Sequence, residues 1–216
     1  MEKMSDKSME SNYFKYVLWL AIFTIVYNIA EGLASMWLGA EEETLALFGF
    51  GVDSFIEVVS GLGILQMVLR IWKHPQQERG HFEVKALRIT GIGFYVLAIG
   101  LALGAGVNLY QRHKPETTLG GILISILSIL AMVWLYKTKT AFGRKLNSEP
   151  ILADGRCTLV CIYMSIILLV SSVIFELSGI GWIDAIGSLG LAWFSFTEGK
   201  EAFEKAKGKA YSCCHT

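Results

Sequence analysis

Two pairs of residues carry chemistry that is unusual within apolar segments. Asp53 and Glu57 are four residues apart, and so are Cys157 and Cys161. In an α-helix this spacing places both side chains of a pair on one face, about one turn apart. Two such helices side by side would offer two carboxylates and two thiolates to one point. This set of ligands suits tetrahedral Zn²⁺ or a softer ion such as Cd²⁺.

The chain that contains these pairs is too apolar for a soluble domain. Of its 216 residues, 53% are hydrophobic and 18% are charged, whereas a soluble domain carries about 25% charged residues. A net charge of +0 argues against a nucleic-acid partner. The four cysteines, two of them adjacent, do not form the framework of a disulfide-stapled secreted protein. The composition therefore indicates an integral membrane protein in a lipid bilayer.

The apolar segments predict an all-α, polytopic membrane protein with six transmembrane helices. Each segment approaches or exceeds the length of about 20 residues that a helix needs to cross the hydrocarbon layer. We expect residues 13–202 to form the transmembrane domain, between a cytoplasmic N-terminal segment (1–12) and a short cytoplasmic tail (203–216). The predicted spans are Tyr13–Leu38, Thr44–Trp72, Leu87–Tyr110, Leu119–Tyr136, Ile151–Leu177 and Trp182–Ala202.

The distribution of lysine and arginine predicts the orientation. These residues are concentrated at both ends of the chain and in the loops after the second and fourth spans. The loop after the third span has only Arg112 and Lys114, and the loop after the first is acidic. Because basic loops remain on the cytoplasmic side, both termini are predicted to be cytoplasmic. With no targeting segment evident, we expect a bacterial inner (plasma) membrane.

The acid pair indicates function more strongly than the cysteine pair does. A carboxylate at the bilayer centre costs about 3 kcal/mol even on lenient insertion scales, so Asp53 and Glu57 have no inexpensive structural role. They are candidates for cation binding, with or without the thiols, or for proton transfer. A buried cysteine usually behaves as a small hydrophobic residue, so Cys157 and Cys161 taken alone are interpreted as packing residues.

Segments of four helices resemble the signatures of the cation diffusion facilitator (CDF) family. Residues 44–60 are similar to the second-helix signature, in which two acids four residues apart bind the transported metal. Residues 153–161 resemble the fifth-helix signature, which usually has His and Asp where this chain has cysteines. In helix one, Asn28 occupies a position where such proteins often have asparagine. Residues 182–187 and 198–202 resemble the beginning and the end of the sixth helix.

This resemblance implies a CDF-like transmembrane bundle that exports a divalent transition metal, and a transporter rather than an enzyme. It implies that Asp53, Glu57, Cys157 and Cys161 bind the metal. Zn²⁺ is the first expectation for the cargo, with Cd²⁺ or another soft ion as the alternative because thiolates favour softer ions. We expect no resident cofactor. Metal binding requires deprotonated ligands, so metal and protons compete for the site, and metal/proton antiport by alternating access is the expected mechanism.

Members of this family usually carry a cytoplasmic C-terminal domain that dimerises and senses metal. The sequence ends shortly after helix six, so we expect a member without that domain. The resemblance then implies a homodimer formed through the transmembrane helices.

Further polar residues are candidates for supporting or secondary roles. Asn28, Glu31 and Asp184 are possible partners of the ligands, although a helix-capping role is the favoured interpretation for Asp184. Weaker metal candidates lie in the second loop, where a solvated charged loop is the favoured interpretation, and in the tail, where capture of a soft metal and a free tail with reactive thiols are equally open. They are His74, Glu78, His81, Cys213, Cys214 and His215.

Two other classes of function remain open at this stage. One is a membrane sensor or assembly protein that binds metal without transporting it. The other is a membrane thiol redox enzyme that uses Cys157 and Cys161. Redox pairs favour C-x-x-C spacing rather than C-x-x-x-C, and a redox function leaves Asp53 and Glu57 unexplained.

Overall fold

The computed structural model describes residues 2–73, 81–112, 114–146 and 149–207. Within these ranges the chain forms six helices and no strand, which confirms the predicted all-α class. The helices extend beyond the predicted spans because the apolar pattern marks only the part of each helix that suits lipid. Their bounds are α1 Glu2–Glu41, α2 Leu45–Lys73, α3 His81–Gln111, α4 Leu119–Lys145, α5 Glu149–Ser178 and α6 Trp182–Ala206.

Among the described residues, α1 to α5 each contain a segment long and apolar enough to cross a membrane. Helix α6 is long enough, at 25 residues, but it is less apolar. Its polar residues Asp184, Ser188 and Ser195 are buried inside the bundle, whereas Trp193 is 71% exposed. The outer face of α6 carries large apolar side chains, as lipid requires, and the buried polar residues on its inward face lower its average hydropathy.

Pairs of facing glycines bring the backbones close together in two of the three helix pairs that pack most extensively. These pairs are α1 with α2, α3 with α6, and α4 with α5. In α3 and α6, a Cβ built on Gly91 would lie 3.2 Å from the backbone oxygen of Gly199, and the reverse distance is also 3.2 Å. Gly32 and Gly51 have the same reciprocal relationship between α1 and α2, at 3.1 and 3.0 Å. Small residues at such contacts let membrane helices pack backbone to backbone.

The main apolar core lies where α2, α5 and α6 meet, with contributions from α3 and α4. Its most deeply buried members are Leu47, Met164, Leu168 and Leu191. Leu47 precedes Asp53 on α2, and Met164 and Leu168 follow Cys161 on α5, which runs in the opposite direction. The core therefore packs between the candidate ligands and the end of the bundle that carries the α1–α2 turn.

Candidate metal site

The carboxylate of Glu57 joins three helices at one point. The Asn28 amide on α1 donates a hydrogen bond from Nδ2 to Glu57 Oε2 at 2.9 Å. The Cys161 thiol on α5 donates to Glu57 Oε1 at 2.6 Å. A thiol, a carboxylate and an amide thus meet inside the bundle, and all three groups have lone pairs that a cation can use.

Asn28 is positioned for more than packing. Its side chain is only 1% exposed, and within the described residues its Oδ1 has no hydrogen-bond partner. A buried amide oxygen without a partner is unfavourable in a folded protein and is usually associated with a ligand or a special role. The amide therefore orients Glu57 through its nitrogen and presents an oxygen beside it.

Asp53 is the most deeply buried of the predicted ligands. It is 2% exposed and lies one turn before Glu57 on α2. Its Oδ1 has no hydrogen-bond partner among the described residues. It interacts electrostatically with Glu57, Glu198 and Glu31, so its surroundings are acidic. Such a carboxylate is compatible with apolar surroundings only when it holds a proton or a cation.

The two cysteines have different partners. Both are free thiols, but Cys161 contacts Glu57 while Cys157 accepts a hydrogen bond from Nζ of Lys205 on α6 at 3.3 Å. These separate contacts give no support to a redox pair. In the described ranges, no group of three or more His, Cys, Asp or Glu side chains is arranged to hold a metal ion. The structure brings Glu57 and Cys161 together but does not assemble all four ligands, so the complete set stays a prediction.

Glu31 belongs to a separate network of hydroxyl groups. Tyr27 donates to one carboxylate oxygen at 3.0 Å, and Ser54 donates to the other at 3.1 Å. Ser128 of α4 also hydrogen-bonds with this carboxyl group. The network ties α1, α2 and α4 together beside Asp53, with which Glu31 interacts electrostatically.

Asp184 caps a neighbouring helix. Its Oδ2 and Oδ1 accept hydrogen bonds from the backbone nitrogens of Leu45 and Ala46, at 3.1 and 3.2 Å. These donors belong to the first turn of α2, where backbone N–H groups have no partner within the helix. The Asp184 carboxylate therefore holds the N-terminus of α2 on α6, about two turns from Asp53.

Residues that sequence reasoning missed lie on α4 and α6. Lys139 is buried and forms an ion pair with Asp154 at 3.1 Å. On α6, Glu198 interacts electrostatically with Cys157 and Glu57, and Lys205 contacts Cys157. Glu198 and Lys205 are seven residues apart and thus share one helix face, a spacing that could have identified them had the predicted span not ended at residue 202.

The secondary metal candidates are outside the part of the chain that the structure describes. This applies to His74 and Glu78 in the loop, and to Cys213, Cys214 and His215 in the tail. His81 begins α3, but its side chain is not among the described ones.

Comparison with known families identifies the class of this bundle. The sequence model of the cation efflux transmembrane domain matches residues 17–206, which include α1 from Val17 onward and all of α2 to α6. The chain belongs to the cation efflux family, the cation diffusion facilitators, and the resemblance noted in the sequence is confirmed.

Individual relatives are distant and longer than this chain. It is 26% identical over 184 residues to transmembrane protein 163 of Xenopus laevis, which covers 83% of this chain and 63% of that protein. It is 22% identical over 187 residues to the manganese efflux system protein MneP of Bacillus subtilis, covering 82% and 63%. An uncharacterized transporter of Methanocaldococcus jannaschii is 25% identical over 174 residues, covering 78% and 60%. The chain thus spans less than two thirds of the length of these relatives.

Proposed function

We propose that this protein exports a divalent transition-metal cation from the cytoplasm in exchange for protons. The observation that carries the proposal is the carboxylate of Glu57, half-buried on α2 one turn from Asp53 and hydrogen-bonded to the Cys161 thiol. Membership of the cation efflux family supports a transporter rather than an enzyme. We place it in a bacterial inner membrane with both termini in the cytoplasm, as the loop charges predict.

The proposed site consists of Asp53, Glu57, Cys157 and Cys161. The Cys161 thiol donates its hydrogen to Glu57, so this contact holds a proton where the metal must bind. Coordination by thiolate and carboxylate requires that such protons leave. Metal loading on the cytoplasmic side then releases protons, and protonation after the site opens outward releases the metal. Exchange of protons for metal follows from the ligands themselves.

We propose Zn²⁺ as the cargo to test first. Two carboxylates and two thiolates match the preference of Zn²⁺ for four mixed ligands, and Cd²⁺ suits the sulfurs equally well. One relative is named as a manganese efflux protein. Mn²⁺ prefers oxygen ligands, so the two cysteines of this chain argue for a softer ion.

Metal uptake into proteoliposomes tests the function and the selectivity together. We expect Zn²⁺ and Cd²⁺, but not Mn²⁺, to accumulate in vesicles with an acidic lumen. The double variant Cys157→Ser with Cys161→Ser should lose Cd²⁺ transport more than Zn²⁺ transport, because it replaces sulfur with oxygen ligands. The matched control, Cys213→Ser with Cys214→Ser, removes as many thiols from the tail and should leave transport unchanged.

Three outcomes would contradict parts of this proposal. Metal binding without uptake of any ion would indicate a sensor or assembly protein. Uptake that does not respond to the pH gradient would exclude antiport. If the double cysteine variant kept the metal selectivity of wild type, the two thiols would not be metal ligands.

The homodimer expected from the family resemblance is tested separately, by the mass of the detergent-solubilised protein.

A further inference from the structure

The positively charged ammonium group of Lys205 contacts the sulfur of a predicted metal ligand. Its side chain extends from the last turns of α6, and Nζ lies 3.3 Å from Sγ of Cys157 on α5. The residue is only 9% exposed. Nζ also lies 3.6 Å from Oε2 of Glu201, one turn earlier on α6. The ammonium group therefore lies between a ligand of the proposed site and an acid outside it.

An acidic residue of α6, Glu198, interacts with the proposed metal site. Glu198, two turns before Lys205, interacts electrostatically with Lys205 and with Cys157. It also interacts electrostatically with Asp53, Glu57 and Cys161, and therefore with each predicted ligand. The bundle thus concentrates acidic groups here, and Lys205 places a positive charge against the sulfur of one predicted ligand.

A lysine ammonium and a divalent metal cannot both contact the sulfur of Cys157. The two cations repel each other strongly at bonding distance, particularly in surroundings of low dielectric constant. The lysine side chain is long and flexible, and the carboxylate of Glu201 is already close to its Nζ. A short movement away from Cys157 and toward Glu201 would keep the ammonium paired while it frees the sulfur.

We propose that Lys205 is a tethered counter-cation that occupies Cys157 when no cargo is bound and moves to Glu201 when the metal binds. The inference rests on the proposed function, because it assumes that Cys157 is a ligand. It makes Lys205 a residue that sets metal affinity: the cargo must displace an internal cation before the fourth ligand becomes available.

Cd²⁺ binding to the purified full-length protein tests this inference. The affinity is measured by competition with a chelating dye in wild type, Lys205→Gln and Lys200→Gln. Lys200 is an exposed lysine on the same helix and provides the matched control for the loss of one charge. We expect Lys205→Gln to bind Cd²⁺ about tenfold more tightly, because it removes the competing charge, and Lys200→Gln to bind like wild type.

Two further variants keep the test decisive if Lys205→Gln does not fold. Glu201→Gln removes the carboxylate that would pair with the Lys205 ammonium when metal is bound. It should weaken Cd²⁺ binding about threefold, since Lys205 then stays on Cys157. Lys205→Arg keeps the charge and should bind close to wild type.

Cys157→Ser separates failure of this inference from failure of the proposed function. If Cys157→Ser binds Cd²⁺ as tightly as wild type, Cys157 is not a ligand and the proposed site is wrong. If Cys157→Ser weakens binding while Lys205→Gln weakens it or leaves it unchanged, the site stands and the counter-cation is wrong. In the Cys157→Ser background, Lys205→Gln should have little further effect, because its contact with the sulfur is already gone.

Discussion

The amide of Asn28 donates a hydrogen bond of 2.9 Å to Oε2 of Glu57 and so fixes a carboxylate of α2 from α1. Both residues belong to helices whose backbones meet at Gly32 and Gly51. The close approach of these helices is what brings so short a side chain as asparagine to the acid. The orientation of Glu57 therefore depends on the packing of α1 against α2.

Asn28→Ala should impair metal handling without unfolding the protein. It removes the hydrogen bond that orients Glu57, and loss of such a supporting contact typically reduces metal affinity by about 10- to 100-fold. Zn²⁺ affinity measured by chelator competition checks the expectation. The control is Asn108→Ala, which removes an amide near the C-terminal end of α3 and should leave the affinity unchanged. Equal affinity in Asn28→Ala and wild type would show that this contact does not position a ligand.

Gly91→Ala should destabilise the pairing of α3 with α6. The added Cβ would lie 2.9 Å from the Phe203 ring and 3.2 Å from the backbone oxygen of Gly199, so the helices must separate. Overpacking of this kind costs about 1–3 kcal/mol. The measurement is thermal unfolding of the solubilised protein, with Gly100→Ala on the same helix as control. A Cβ at Gly100 meets nothing within 4 Å, so that variant should be neutral or slightly more stable.

Asp184→Ala should lower stability through loss of the cap on α2. The carboxylate satisfies two backbone N–H groups, and removal of a capping side chain costs about 1–2 kcal/mol. Asp184→Asn keeps one acceptor oxygen and should lose about half as much. Chemical unfolding in mild detergent compares the two variants. Wild-type stability in Asp184→Ala would mean that the interhelical cap contributes nothing.

Glu42 should make stability depend on pH. Partial burial raises the pKa of the Glu42 carboxyl above its ordinary value, and the backbone hydrogen bond from Gly120 offsets this only in part. The folded protein therefore binds this proton more tightly than the unfolded chain does. The contribution of Glu42 to the free energy of unfolding is fully present below the ordinary glutamate pKa. It is lost as the pH rises through the higher pKa of the folded state.

Glu42→Gln tests this pH dependence because glutamine cannot ionise. In the window above the ordinary glutamate pKa, the melting temperature of wild type should fall relative to Glu42→Gln as the pH rises. Glu116→Gln, a change at an exposed acid in the loop before α4, should run parallel to wild type. If the difference in melting temperature between wild type and Glu42→Gln stayed constant across this pH window, the raised pKa of Glu42 would be contradicted.

The sequence predicted the helices and the acid pair because both follow from local patterns. Hydrophobic length identifies a helix that crosses lipid, and the spacing of Asp53 and Glu57 places them on one face whatever the neighbouring helices do. The helix ends were less accurate, since polar turns such as those at the start of α1 carry no apolar signal.

The partners of the cysteines could not be predicted in the same way. Whether Cys157 faces Asp53 or Lys205 depends on the rotation of α5 against α6, and that rotation is set by packing at many positions. The pairing of Lys139 with Asp154 and the cap that Asp184 places on α2 are also contacts between helices. Sequence spacing within one helix contains no information about them.

Proton-driven Zn²⁺ transport by wild type and Asp53→Asn tests the central claim most directly. Asparagine keeps the size of Asp53 but cannot ionise and replaces one carboxylate oxygen with an amino group, so loss of function would not reflect a change in side-chain volume. We predict that wild type accumulates Zn²⁺ in proteoliposomes with an acidic lumen and that Asp53→Asn reduces the initial rate by at least about tenfold. Equal rates in the two proteins, or no uptake by wild type under the gradient, would contradict a proton-coupled exporter whose site is on α2.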